Sequence, residues 1–321
     1  MSDIKRRGVR TNPARITRFW AVVKYELLWN IRKKKFLGMI VVAFAFATLS
    51  LALPTILYNI IGQPLGQNPD YVVSSGIGGL VLFLFAVVTV MNSISGEFES
   101  GTIVPLLTKP VSRTMIFLGK LFAAFITLLS AYSVLFVYMA IGGTILYGPQ
   151  NNLHLVPLSL LGSIISTFVW IAIVLTIGSI SKSSLIAALG AFGIFIALFI
   201  SAPIVSMFSD QAGVLTYVPG SGASGYIKGL GPQTPFTPGM SVSTGTDSIA
   251  ANLIGYVLHP SSDVTFFKIG GFQLGELPSM IELYSEPLSF VLLRSIAVAV
   301  TYILVFLFIS WFAFKRAEIL E

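Results

Sequence analysis

The chain alternates long apolar runs with short polar punctuation. Residues 36–69, 71–96, 121–181, 183–209 and 295–314 contain no Asp, Glu, Lys or Arg. A membrane-spanning helix needs about 20 predominantly apolar residues, and every one of these runs reaches that length. The turn-forming string Gly148-Pro149-Gln150-Asn151-Asn152 divides the longest of them. The pattern predicts six helices, at about 37–60, 72–94, 114–146, 157–180, 184–207 and 288–314. The third exceeds what a bilayer requires, so it is expected to tilt or to bend at Gly142-Gly143. The fold class expected is an all-α polytopic membrane protein.

A different pattern precedes the first run. From Arg15 to Lys35, the residues Ile16, Phe19, Trp20, Val23, Leu27 and Ile31 recur at helical spacing. Arg18, Lys24, Arg32, Lys33 and Lys34 flank that stripe. This is the signature of a helix lying along a membrane surface, with Trp20 at headgroup depth. The alternative is a plain cytoplasmic extension of the first span. A cleaved signal is not expected at Ala45-Phe46-Ala47, because the basic region before it is far too long.

Composition narrows the class. Of 321 residues, 55% are hydrophobic and 10% charged, against about 25% charged in soluble domains. A soluble or disordered chain is thereby excluded. The unbroken apolar runs also differ from the short alternating strands of an outer-membrane barrel.

Charge then sets the orientation. Residues 1–35 hold 11 of the 20 Lys and Arg but only Asp3 and Glu26 as acids, a net charge of +9, and the remainder is −2. A basic arm could bind nucleic acid, but the membrane context favours a cytoplasmic anchor, with no nucleic-acid partner. Six spans put both termini on one side. That side carries 17 Lys and Arg: the arm's 11 with Lys109, Arg113, Lys120, Lys182, Lys315 and Arg316. The other side has two, Lys228 and Lys268, while Arg294 falls inside the last span. The bias implies cytoplasmic termini on a multi-pass plasma-membrane protein.

The organisation expected is a basic arm with an interfacial helix over 1–35, five spans over 36–207, an extracytoplasmic loop region over 208–287, and a last span and tail over 288–321. The loop region is rich in Gly, Ser, Thr and Pro, and no core is expected there. Two short helices are predicted inside it. One covers Asp247–Leu258, and one opens at Ser279-x-x-Glu282, a capping-box pattern.

Catalytic signals are sparse. The sequence has no Cys and only two His, His154 and His259, so a Cys- or multi-His-ligated metal site cannot be assembled. No phosphate-binding Gly-x-x-x-x-Gly-Lys-Ser/Thr loop occurs. The string Gly222-Ala223-Ser224-Gly225 resembles an intramembrane protease motif, but a serine nucleophile needs a facing His. A flexible loop is the better reading there. Ser179-Ile180-Ser181-Lys182 falls at a cytoplasmic turn and reads as a helix end. Arg294 is expected to snorkel to the headgroups. With so few ionisable residues in the spans, proton or sodium coupling has little to act on. No cofactor, metal or catalytic residue is expected.

The informative segment lies between the second and third spans. It reads Glu97-x-Glu99-x-Gly101-Thr102-Ile103, then Leu106-Leu107, Pro110-Val111-Ser112-Arg113 and Gly119-Lys120. Two acids precede a short apolar helix, Pro110 stops it, and Ser112 can cap the next span. The helix offers Ile103, Leu106 and Leu107 either to a partner or to lipid.

This segment resembles that of the membrane subunits of type-2 ABC exporters, and the architecture of the whole chain is similar to theirs. The resemblance implies a permease that works as a dimer, with a second copy or a paralogue, beside separate cytosolic ATPase subunits. It implies a coupling helix over about 97–110, with Glu97, Glu99, Gly101, Thr102, Ile103, Leu106 and Leu107 engaging the ATPase. Phe98 departs from the family pattern, where a basic residue is common, and Pro105 interrupts the usual leucine-rich helix. Two alternatives stay open: a membrane scaffold that recruits an ATPase without transport, and an intramembrane enzyme.

Overall fold

Helices dominate the computed structural model, which describes residues 15–32, 34–62, 71–74, 77–101, 112–210, 212–228, 239–269 and 280–316. The helices are α1 Arg15–Arg32, α2 Lys34–Ile61, α3 Tyr71–Ser74, α4 Gly79–Val90, α5 Ser95–Glu99, α6 Arg113–Tyr147, α7 Val156–Ser181, α8 Ser184–Phe208, α9 Ile249–Leu258 and α10 Leu288–Arg316. Among the described residues, six helical segments are long and apolar enough to cross a bilayer: Phe36–Ile60, Gly79–Glu99, Arg113–Tyr147, Leu153–Ser181, Ser184–Phe208 and Leu288–Arg316. The chain is an all-α polytopic membrane protein, as its apolar pattern predicts.

The second span begins later than the apolar run does. Tyr71–Ser74 forms one separate turn, and α4 starts after Gly78. Helix α6 runs uninterrupted through Gly142-Gly143. A β-carbon on Gly142 would lie 2.6 Å from Leu51, and one on Gly143 would lie 2.5 Å from Val72. These glycines therefore serve the close approach of α2 and α3.

Helix α7 is the hub, packed by α4, α6, α8, α9 and α10. Among the described residues it is the most buried of the spans, and its surface is largely apolar on every side. Its buried hydroxyls bond back to their own helix, as Ser163 does to the Ser159 carbonyl at 2.9 Å and Thr167 to the Ser163 carbonyl at 2.8 Å. Thr176 also reaches the Phe306 carbonyl of α10 at 2.7 Å, and Ser179 meets Ser310 at 2.8 Å. Small residues bring backbones together: a β-carbon on Gly162 would fall 2.6 Å from the Ala250 Cα, so α9 crosses directly over α7 there.

The segment between the fifth and sixth spans holds more than a coreless loop. Strands β1 Ser224–Lys228, β2 Gly239–Ser243, β3 Asp263–Ile269 and β4 Met280–Pro287 form an antiparallel sheet of order β2-β1-β3-β4. Ala223, Ile227, Val264 and Phe266 pack with Ala202 of α8 and Leu288 and Val291 of α10. The sheet thus borrows its core from two span ends, so no independent core shows in its own residues. Helix α9 forms where Asp247–Leu258 predicts one. The helix expected to open at Ser279-x-x-Glu282 is instead strand β4. A register shift between Phe266 and Phe267 puts Glu282 on the face of Tyr226, whose hydroxyl donates to it, while Tyr284 and Glu286 lie on the face of Phe266 and meet that ring and Arg294 respectively.

Candidate coupling site

The segment singled out in sequence gathers five elements at one end of the bundle. The chain leaves α4 at Val90, turns through Met91–Ile94, and forms α5. Gly101 follows at φ +67, the left-handed conformation that ends helices and that glycine adopts without penalty. Thr102, Ile103, Leu106 and Leu107 lie outside the described residues, as do Pro105 and Pro110. The chain resumes at Ser112, whose hydroxyl accepts from the Met115 amide at 3.2 Å and caps α6.

Glu97 and Glu99 point to different neighbours. Lys120 of α6 is 5% exposed, and its Nζ lies 2.7 Å from Glu97 Oε1 and 2.5 Å from Glu26 Oε1 of α1. One cation therefore clasps two carboxylates from two elements. Buried charges persist only when paired in this way. Gly119 makes room for the clasp: a β-carbon there would sit 2.7 Å from Val22, so α1 lies tight against α6.

Glu99 ties α5 to the start of α8. It accepts from the Ser184 amide at 2.8 Å, from the Ser183 hydroxyl at 3.0 Å, and from the Ser184 hydroxyl. Free amides at a helix N-terminus favour such an anion. Phe98, the departure from the family pattern, faces inward. Its ring meets Phe314 of α10 edge-on at 6.3 Å, and Lys182 stands 5.7 Å over it. Arg113 closes the ring of elements by donating to the carbonyls of Lys315 at 2.8 Å and Phe314 at 3.4 Å, at the C-terminal end of α10.

The apolar stripe of α1 does not face the protein as a whole. Ile16, Trp20 and Ile31 are exposed, while Val23, Glu26 and Asn30 are buried. The buried three share one helical face. Glu26 was not singled out in the sequence, although a lone acid on a strongly basic helix is a usable signal. Trp20 and Phe19 rest against Phe122 of α6, at 5.6 and 5.9 Å.

Residues weighed for other chemistry fall elsewhere. Ser224 opens strand β1 opposite Ser243, so the expected flexible loop is ordered sheet. His259 ends α9 and shares no hydrogen bond with Ser224 among the described residues. Arg294 reaches back toward the start of α10, where it holds Glu286 with two contacts, at 2.8 and 3.3 Å, and covers the Phe290 ring. Its partner lies just ahead of α10 on β4, which helical periodicity within the span does not reveal.

Six apolar helices, with a polar junction joining the ends of several of them, define a multi-pass membrane protein. The family model described as "ABC-2 family transporter protein" matches residues 20–319, so the chain belongs to that family, that of ABC transporter permease subunits. A comparison with curated proteins finds no match.

Proposed function

We propose that this chain is the membrane-spanning half of an ATP-driven exporter, working as a dimer with a second copy or a paralogue and powered by separate cytosolic ATPase subunits. The termini are cytoplasmic on this reading, and the 208–287 segment lies outside. The observation that carries it is the double anchoring of the short helix after the second span. Glu97 joins that helix to α1 and α6, and Glu99 joins it to α8.

A push on the segment from Gly101 to Ser112 would therefore reach three helices, α1, α6 and α8, through ionic and hydrogen-bonded contacts. Apolar Ile103, Leu106 and Leu107 would supply the grip of the ATPase on that segment. Arg113 carries the same displacement to the end of α10. Helix α1, with its exposed Ile16 and Trp20, would ride in the inner leaflet and move with Lys120.

The reading is tested by reconstituting the chain with its ATPase in lipid. ATP hydrolysis stimulated by a transported compound, and vectorial movement of that compound, are expected. An assembled complex that hydrolyses ATP but moves nothing across a broad compound panel would favour a scaffold.

A further inference from the structure

A second polar site lies away from the coupling junction. Between α4, α7, α8 and the turn before α9 is a cavity of about 210 Å³, lined by Trp170, Phe195, Phe199, Gly79, Ser221 and Asp247. Three aromatic rings and one carboxylate dominate its chemistry. Asp247 Oδ1 accepts from Trp170 Nε1 at 3.0 Å and from Thr246 Oγ1 at 3.5 Å. Its Oδ2 lies on the Gly79 side, where a β-carbon would come within 2.7 Å of it. Among the described residues Oδ2 accepts no hydrogen bond, and none of the ion pairs there involves Asp247. The site thus has an anion with an open oxygen and no counter-ion.

The chemistry of the walls selects among cations. A hard metal ion requires six or more oxygen ligands, and these walls are mostly carbon. A primary ammonium carries three donors that each need an acceptor. A quaternary ammonium needs none, and aromatic faces beside a carboxylate are its usual setting. The volume is below the roughly 300 Å³ at which drug-sized sites begin, so it suits a head group alone. We propose that this cavity binds a small quaternary or tertiary ammonium group, with Asp247 as counter-ion and Trp170, Phe195 and Phe199 as walls. The proposal concerns equilibrium binding and stands apart from the transport reading.

Ionisation adds an independent readout. Helices α4, α7 and α8 carry no acidic, basic or His residue, α9 contributes only Tyr256, and α10, which also packs on this turn, brings Arg294, held by Glu286, and Tyr302, bonded to the Tyr217 carbonyl. Tyr132 of α6, bonded to Thr167 at 2.6 Å, is the ionisable group that feels the Asp247 charge. Burial pushes the Asp247 carboxyl up to about 7, and a cation binds the ionised form. Affinity should therefore rise roughly tenfold between pH 6 and pH 8.

The test uses the full chain in nanodiscs with tritiated choline as probe and its neutral isostere 3,3-dimethylbutan-1-ol as competitor. Saturable choline binding is expected, resisted by excess sodium chloride and not displaced by the isostere. Asp247→Asn should weaken it at least tenfold and abolish the pH dependence. Phe199→Leu, at an exposed wall position, should weaken it severalfold and covers the case in which Asp247→Asn fails to fold. Absence of saturable binding, equal competition by the isostere, or unchanged affinity in either folded variant overturns the proposal.

Discussion

Lys120 of α6 and Glu26 of α1 lie 2.5 Å apart, with side chains 4% and 7% exposed. Helix α1 is thus pinned to the third span by a charge that also holds Glu97. Breaking a buried pair strands the remaining charge and costs about 3–5 kcal/mol, whereas replacing all partners with apolar groups is often neutral. Lys120→Met should therefore lower the thermal stability of the protein in nanodiscs markedly. The triple variant Glu26→Met, Glu97→Met, Lys120→Met should recover most of that stability while leaving ATP hydrolysis uncoupled from export. A triple variant that exports normally would show that the clasp serves folding alone.

Glu99 makes three contacts with Ser183 and Ser184 in an exposed setting. Glu99→Gln should leave insertion and folding intact but loosen the second span from the fifth. Spin labels at the α5 end of the second span and the Ser184 end of the fifth should report a broadened distance distribution, and Ser183→Ala with Ser184→Ala should give a similar, weaker effect.

The proposed function leaves docking on the ATPase to Ile103, Leu106 and Leu107. Burying one Leu is worth about 1.5–3 kcal/mol, so a single truncation should weaken docking about tenfold or more. Leu106→Ala with Leu107→Ala should lower ATPase co-purification sharply, while the amount of inserted protein stays unchanged. Undiminished co-purification would move the docking surface elsewhere.

Stability should depend on pH through Asp247, whose carboxyl burial raises from an ordinary value of 3.8 to about 7. The sign follows from proton binding: between these values the folded state holds the proton and the unfolded state does not. The contribution is fully present below about pH 4 and is lost as the pH rises through about 7. Melting temperature should fall over that window in the wild-type chain, and Asp247→Asn should flatten the slope.

The absence of Cys makes topology directly testable. Ser100→Cys and Ser183→Cys should resist an impermeant thiol reagent applied to intact cells, and Ser261→Cys, at an exposed turn, should react. Outside labelling at position 100 would invert the arrangement.

The sequence alone determined the spans, because apolar length is the dominant constraint on a chain in lipid and needs no tertiary partner to be read. It also marked Glu97, Glu99 and Gly101, whose spacing and conformational demands are local. What tertiary structure decided were the partners. Glu26 meets Lys120 across 94 positions, and Asp247 meets Trp170 across 77. No periodicity within one element encodes such pairs. Strand β4 carries the pattern of a helix start because four residues of capping-box type fit either state, and only Phe266, Tyr226 and Arg294 across the sheet and at α10 settle it. The sheet's core is hidden for the same reason: three of its eight buried residues, Ala202, Leu288 and Val291, read in sequence only as lengths of membrane helix.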